Sequence, residues 1–299
     1  MSPKHTTSPK RSVSPGRSVR PRAIRDKRGQ KSPVAHVLSW VYALILALPL
    51  YYLVVSALKT NIEIFLAPFA LPTKWLWGNF TNAWTRAQLG QALMNSVLIS
   101  AVAIVLTLVL AVPASYALAR SESRVAKAIT STFAAGFLIP PFAALIPTVL
   151  LAINMGLFFT REFQMLYLPA SVLPLSVLLL VQFMKTVPKE LIESAALDGA
   201  GAFRTLVSVF MPIARPGIVS VTILQLLTFW NEYLFSLTIT GTDPAVRTVQ
   251  VALPTLVNDS TNYGVLAAGT VLTLLPVYIA YVIMGKRMQE ALVAGAVKG

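Results

Sequence analysis

Residues 94–119 read MNSVLISAVAIVLTLVLAVPASYALA, and this stretch decides the fold. It carries no charged side chain over a length that exceeds the roughly 20 apolar residues a helix needs to cross the hydrocarbon of a bilayer. Working outward, five further stretches qualify: Val37–Leu58 before it, then Ala128–Met155, Met165–Met184, Ile218–Ile239 and Val265–Met284. The expected fold class is therefore all-α, a polytopic membrane protein with six transmembrane helices. Composition points the same way. Of 299 residues, 56% are hydrophobic and 12% charged, whereas a soluble globular domain carries about a quarter charged residues.

Prolines punctuate the spans at Pro49, Pro113, Pro169, Pro174 and Pro276, and the third span holds Pro140, Pro141 and Pro147. A proline removes one backbone donor and crowds the preceding turn, so the third span is expected to be kinked or broken. Membrane helices tolerate such interruptions where neighbouring helices or a water-filled cavity satisfy the freed carbonyls.

Net charge is +14, but its distribution matters more than its size. Six spans put both termini on one side. That side receives 20 of the 25 Lys and Arg residues, and the loops 59–91, 156–163 and 240–263 share the other 5. By the positive-inside rule both termini lie in the cytoplasm. Residues 1–33 hold ten Lys/Arg and one acid, with Ser-Pro steps at Ser2, Ser8, Ser14 and Ser32. Nothing in them can build a core, so they read as a disordered basic tail resting on anionic lipid headgroups, not as a nucleic-acid binder. A transit peptide is the alternative reading of the arginines, while a secretory signal does not fit a start this long and polar. Trp75, Trp77 and Trp84 on the opposite side read as interfacial anchors.

The chain has no cysteine, and its two histidines, His5 and His36, lie in the tail and at a helix entry, so no metal site is expected. There is no phosphate-binding loop, because Gly285-Lys286-Arg287 lacks the upstream glycine and the following hydroxyl residue. Neither HExxH nor GxSxG occurs. No catalytic residues are assigned, and no cofactor is expected on this chain.

One cytoplasmic segment stands apart. Residues 185–217 are too long for a turn, and from Val187 they read VPKELIESAALDGAGAFRTLVSVFMPIARPG. Pro188 suits a helix start, and Glu190 and Glu193 suit its positive end. Leu191, Ala195 and Ala196 form a narrow face, and Gly199 suits a left-handed terminator. A second helix, Phe203–Met211, is expected to end at Pro212. Such a helix–turn–helix either docks into a partner's groove or lies on the headgroups as an amphipathic hairpin.

The spaced run Glu193-Ser194-Ala195, Gly199, Val209-Phe210-Met211-Pro212, with Asp198 before the glycine, resembles the EAA loop of bacterial ABC importer permeases. It departs from that pattern at Ser194 for Ala, Val209 for Ile and Met211 for Leu. The resemblance implies a coupling helix gripped by a separate ATPase dimer, which uses the ATP and Mg. Glu190, Glu193, Ser194, Ala195, Ala196, Asp198, Gly199 and Pro212 would carry that contact.

Two further runs resemble permeases of the maltose and oligosaccharide type. One is Trp230-Asn231-Glu232-Tyr233. Glu232, about 21 Å along its span at 1.5 Å per residue, reads either as a ligand for substrate hydroxyls beside Trp230 and Tyr233 or as a packing residue. The other is the C-terminal GAVKG, which in that family reaches the ATPase interface, here through Gly295, Lys298 and Gly299. Ala291 stands where glycine is common. The resemblance covers residues 34–299 and implies a permease domain in the bacterial plasma membrane. It also implies a second homologous permease and an extracytoplasmic solute-binding protein delivering a sugar or oligosaccharide. The competing readings are an ion-coupled secondary transporter, which would normally show more intramembrane charge or inverted repeats, and a membrane scaffold, which leaves the spacing of the insert unexplained.

Overall fold

A computed structural model describes residues 33–257 and 261–296. Thirteen α-helices follow in order: α1 (Pro33–Ser56), α2 (Asn61–Leu66), α3 (Gly78–Arg86), α4 (Leu89–Arg120), α5 (Arg124–Phe137), α6 (Leu145–Asn154), α7 (Arg161–Met184), α8 (Lys189–Leu197), α9 (Ala202–Thr205), α10 (Met211–Trp230), α11 (Leu234–Thr240), α12 (Val249–Ala252) and α13 (Tyr263–Ala296). Two compact units divide the chain, residues 1–48 and 49–299. The described part of the first unit is the start of α1, apolar and exposed around its circumference, as a helix facing lipid or another chain must be.

Five helical runs are long and apolar enough to span a membrane: residues 36–56, 89–120, 161–184, 202–230 and 263–283. A sixth span exists if α5 and the run 141–154 count together, and these two meet at 91°. The break expected in the third span is thus a near-right-angled corner. Its cause is the Pro140–Pro141 pair, because a residue before proline avoids helical geometry. Pro140 itself is extended, at φ −62° and ψ 128°. Pro147 falls in the first turn of α6, where its missing N–H costs nothing. Pro49, Pro113, Pro169, Pro174 and Pro276 stay inside continuous helices.

The fifth span departs from expectation at both ends. Its helix begins at Ala202, so the second helix of the insert does not stop at Pro212 but runs on into α10. One π-helical turn, Leu206–Phe210, joins them. Pro212 has no N–H to donate, and a local change of helical register is how a helix absorbs that loss. At the far end α10 stops at Trp230, and the expected run to Ile239 is interrupted at Asn231–Tyr233 before α11.

The spans pack through small side chains. Ala92, Ser96, Ser100, Ala103, Thr107, Ala111 and Ser115 form a buried stripe on α4, whose most extensive neighbour is α7. In lipid, close approach of backbones replaces the hydrophobic drive available in water. Gln225 of α10 donates to Ser176 Oγ of α7 at 2.6 Å, and Ser236 of α11 donates to Gln164 Oε1 of α7 at 3.3 Å. Near the ends of α4 and α7 that adjoin α8, Tyr116 meets Phe210 edge-on at 4.7 Å within a core of Val177, Leu180, Val181 and Met184.

At the other ends of the spans, polar side chains tie the connecting segments down. Arg247, 5% exposed, donates to the carbonyls of Ala87 and Thr242 at 2.9 and 3.0 Å. Burial pulls its pKa down while neighbouring Asp243 opposes the shift. Asn95 donates to the carbonyls of Ala245 and Arg247, and the Val249 N–H donates to Ser96 Oγ. The segment after α11 is therefore laid against α4 instead of looping free.

Gly217 of α10 packs against the Phe183 side chain of α7. A Cβ there would lie 2.2 Å from the Phe183 ring. Gly217→Ala is expected to destabilise the purified protein by about 1–3 kcal/mol through overpacking, read as a lower thermal midpoint in detergent. Adding Phe183→Ala, which removes the two ring atoms nearest that Cβ, should restore part of the loss.

Candidate functional site

The insert forms a short helix at the end of the α4–α7–α10 core. Pro188 precedes α8, and Glu190 lies in its first turn. Two hydrogen bonds close its far end: Ala200 N–H donates to Ala195 O at 2.9 Å, and Gly199 N–H donates to Ala196 O at 3.1 Å. This is a Schellman ending, which requires a left-handed residue. Gly199 supplies it at φ +74°. Asp198 is the C-cap residue, and its N–H donates to Ser194 O at 3.0 Å.

The helix sorts its side chains by exposure. Ala195 is buried and Ile192 half-buried, both on the protein's side. Glu190, Glu193, Ser194, Ala196, Asp198 and Gly199 are exposed. The narrow face expected from Leu191, Ala195 and Ala196 is therefore split: Ala195 seats the helix on its own chain, while Leu191 and Ala196 face outward. Leu197 is 90% exposed, and Phe203, just beyond the glycine turn, is 79% exposed. Neither was singled out in the sequence reading, although two large apolar side chains flanking a glycine turn were a usable signal. The helix is held by one edge, with its apolar tips and carboxylates exposed.

Beside α8 lies a cavity of about 890 Å³ lined by Arg120, Glu122, Lys127, Lys185 and Glu193, with Val181, Met184 and Phe210 at its floor. The lining comes from three separate stretches, residues 118–131, 181–193 and 210, which only the fold brings together. Pro212 sits in the first turn of α10, directly after the π-helical turn. Gly295 lies in the last turn of α13, while Lys298 and Gly299 fall outside the described residues.

Trp230 ends α10, Asn231, Glu232 and Tyr233 form the interruption before α11, and the four play different parts. Trp230, 5% exposed, is packed in a core with Leu89, Ala92, Val249 and Ala268. Asn231 is exposed, and its Nδ2 donates to Leu227 O at 2.8 Å at the end of α10. Glu232 Oε1 accepts the Phe235 N–H at 2.7 Å, in the first turn of α11. Tyr233 is exposed. The Phe235 ring then stacks on Tyr167 of α7 at 3.7 Å. Glu232 thus closes a helix end, and Asn231 and Tyr233 are the members of the run left open to the surroundings.

Residues 111–290 match the family described as the binding-protein-dependent transport system inner membrane component. Over 277 residues the chain is 32% identical to the diacetylchitobiose uptake system permease protein NgcG of Streptomyces coelicolor, covering 92% of this chain and 91% of that one. It is 27% identical to the melibiose/raffinose/stachyose import permease protein MelC of Bacillus subtilis over 278 residues, 92% of this chain and all of that one. A chain in the crystal structure of a bacterial ABC transporter involved in the import of the acidic polysaccharide alginate has the same fold, with a TM-score of 0.72 at 21% identity over 85% of this chain and 94% of that one. The helical, membrane-spanning architecture, the match over residues 111–290 and the near full-length relatives agree, and the chain belongs to the family of inner-membrane components of binding-protein-dependent transport systems.

Proposed function

We propose that this chain is the permease subunit of an ATP-driven importer that translocates a sugar or oligosaccharide handed to it by an extracytoplasmic binding protein. The observation that carries the reading is α8: a short helix seated by Ala195 and Ile192, ended by Gly199, with its carboxylates and Leu197 free. The chain lacks a phosphate-binding loop, so hydrolysis belongs to a separate ATPase dimer, which α8 contacts from the cytoplasm. Gly295, Lys298 and Gly299 provide a second contact to the same dimer. Both termini lie in the cytoplasm, as the distribution of 20 of 25 cations supports. A second, homologous permease completes the pathway. The saccharide class rests on relatives that are named for uptake of diacetylchitobiose and of melibiose, raffinose and stachyose.

In this reading Asn231 and Tyr233 line the pathway, and Glu232 holds the break that presents them. Irregular backbone at membrane depth is tolerated where it lines a cavity or is buried in protein. An exposed asparagine there belongs on water or on the partner permease, not on acyl chains.

Two experiments test these assignments. Because the chain has no cysteine, Ser194→Cys introduces a single thiol. It should react with an impermeant maleimide in inside-out vesicles stripped of the ATPase, be protected when the ATPase is bound, and not react in right-side-out ones. Glu193→Ala or Gly199→Asp should keep the complex assembled yet cut ATP-driven uptake by at least about tenfold, equivalent to 1.4 kcal/mol of coupling. Unchanged uptake in both variants counts against the docking role of α8. For the pathway, Glu232→Gln retains an acceptor for the Phe235 N–H and should support uptake near the parent level. Glu232→Ala removes it and should lose a cap worth about 1 kcal/mol, with a lower thermal midpoint. Equal loss of uptake in both variants would instead make the charge itself a substrate ligand.

A further inference from the structure

Between Ser56 and Gly78 the chain does not stand away from the end of α1; it folds back beside it. Lys59, 1% exposed, is the pivot: its ammonium donates to the carbonyls of Ala67 and Pro68 at 2.8 and 3.2 Å. Thr60 and Glu63 form a reciprocal capping box at the start of α2. Glu63 also accepts from the hydroxyl and the N–H of Thr73, which ties the two arms of the segment together. These bonds, the Thr73 hydroxyl foremost, hold the Glu63 carboxyl down at about 2, so it stays ionised.

These polar groups are satisfied within the segment, at exposed positions such as Thr60 and Thr73, and six large apolar side chains are exposed alongside them. Ile62, Phe65 and Leu66 share one face of α2 and are 71%, 66% and 81% exposed. Phe69, Leu71 and Trp75 continue the ridge, each more than half exposed. Depth is given by α1. The Phe69 ring lies 5.8 Å from the Tyr52 ring, and the Phe69 carbonyl accepts from the Tyr51 hydroxyl at 2.9 Å. Tyr52 is four residues before the end of α1, about 6 Å down the helix axis at 1.5 Å per residue. Side chains on a helix lean toward its N-terminus, so these rings lie still further from that end. Taking the end of α1 as the membrane boundary, Phe69 sits at the level where amphipathic helices bury their apolar faces, roughly 5–10 Å into the boundary of headgroups and acyl chains.

We infer that residues 61–77 are a membrane-embedded foot, a rigid fold-back whose apolar ridge is solvated by lipid and not by the solute-binding protein or the second permease. Its assignment to the outer leaflet rests on the orientation proposed above; its depth does not. The six ridge side chains carry no charge, and the exposed Lys74 borders them as a lysine at headgroup level would. The aromatic content suits the interface, where amphipathic and aromatic side chains concentrate.

The absence of native cysteine makes the test direct. Leu66→Cys and Phe69→Cys are labelled with bimane in the assembled transporter, reconstituted in phosphatidylethanolamine–phosphatidylglycerol vesicles, with Lys74→Cys for comparison. Doxyl groups placed near the lipid headgroup should quench both ridge probes at least about twofold more than doxyl groups near the acyl-chain ends, as a shallow insertion requires. Aqueous iodide should favour the Lys74 probe. Leu66→Trp, read with brominated lipid against the parent chain, repeats the measurement without a bulky label. Iodide quenching of the ridge equal to that of the Lys74 probe would overturn the inference. So would protection from both quenchers, which means a protein covers the ridge, or loss of lipid quenching on adding the binding protein. None of these readouts needs ATP-driven uptake, so a failure of the importer reading would show separately.

Discussion

A peptide group inside hydrocarbon has no water to bond, and that constraint governs where this chain is allowed to stop being helical. Three interruptions near the spans are closed by specific side chains, whereas the corner at Leu138–Pro140 is closed by backbone bonds. Glu232 takes the Phe235 N–H where α10 gives way to α11. Lys59 takes two carbonyls where the chain turns back after α1, and Asn79 donates to the carbonyls of Ala57 and Lys59 in the same turn. Asn95, Ser96 and Arg247 do the same for the segment before α12. Removing one of these groups strands a buried partner, which costs about 1–3 kcal/mol, more than the bond itself contributes on balance. The polar residues of the span ends therefore define the topology as firmly as the apolar runs do.

Packing follows from the same solvent. Since lipid tails are as apolar as leucine, helices gain little by hiding leucines from them and gain more by close backbone approach. That explains why α4 buries a continuous stripe of alanine, serine and threonine from Ala92 to Ser115 while its valines and leucines at 97, 98, 105, 109 and 110 stay exposed. It explains Gly217 too, where any side chain would strike Phe183. Exposure here does not signal a misplaced core residue. The exposed leucines face lipid or another chain, and the buried serines make the contact surface.

Much of this was legible in the sequence, because hydropathy and the cation count are one-dimensional. The spans, the break at Pro140–Pro141 and the helix–glycine turn at residues 188–199 all follow from local residue order. What was not legible depended on contacts between distant residues. Pro212 looks like a helix end until the π-helical turn at Leu206–Phe210 is seen to absorb it. Glu232 looks like a charge in mid-span until α10 is seen to stop at Trp230. Ala195 looks like part of an outward face, but its burial against the chain's own core turns it inward. In each case local propensity was sound, and tertiary packing selected among the conformations it permits.

The placement of α8 relative to the break at residues 231–233 has a mechanical consequence on the importer reading. Ile192 packs against the core that holds Phe210, and Phe210 is the last residue of the π-helical turn that leads into α10. From there α10 is one helix to Trp230, 20 residues or about 30 Å at 1.5 Å per residue. A close-packed helix moves as a body, so a displacement imposed on α8 reaches Asn231 with little loss as long as the π-helical turn does not flex. The interruption at Asn231–Tyr233 then divides the moving rod from α11, which Tyr167 and Gln164 hold to α7. Relative motion on that reading is concentrated at the exposed Asn231 and Tyr233, the residues proposed above to line the pathway. A continuous helix to Ile239 would instead have carried both ends together and left no joint at that depth.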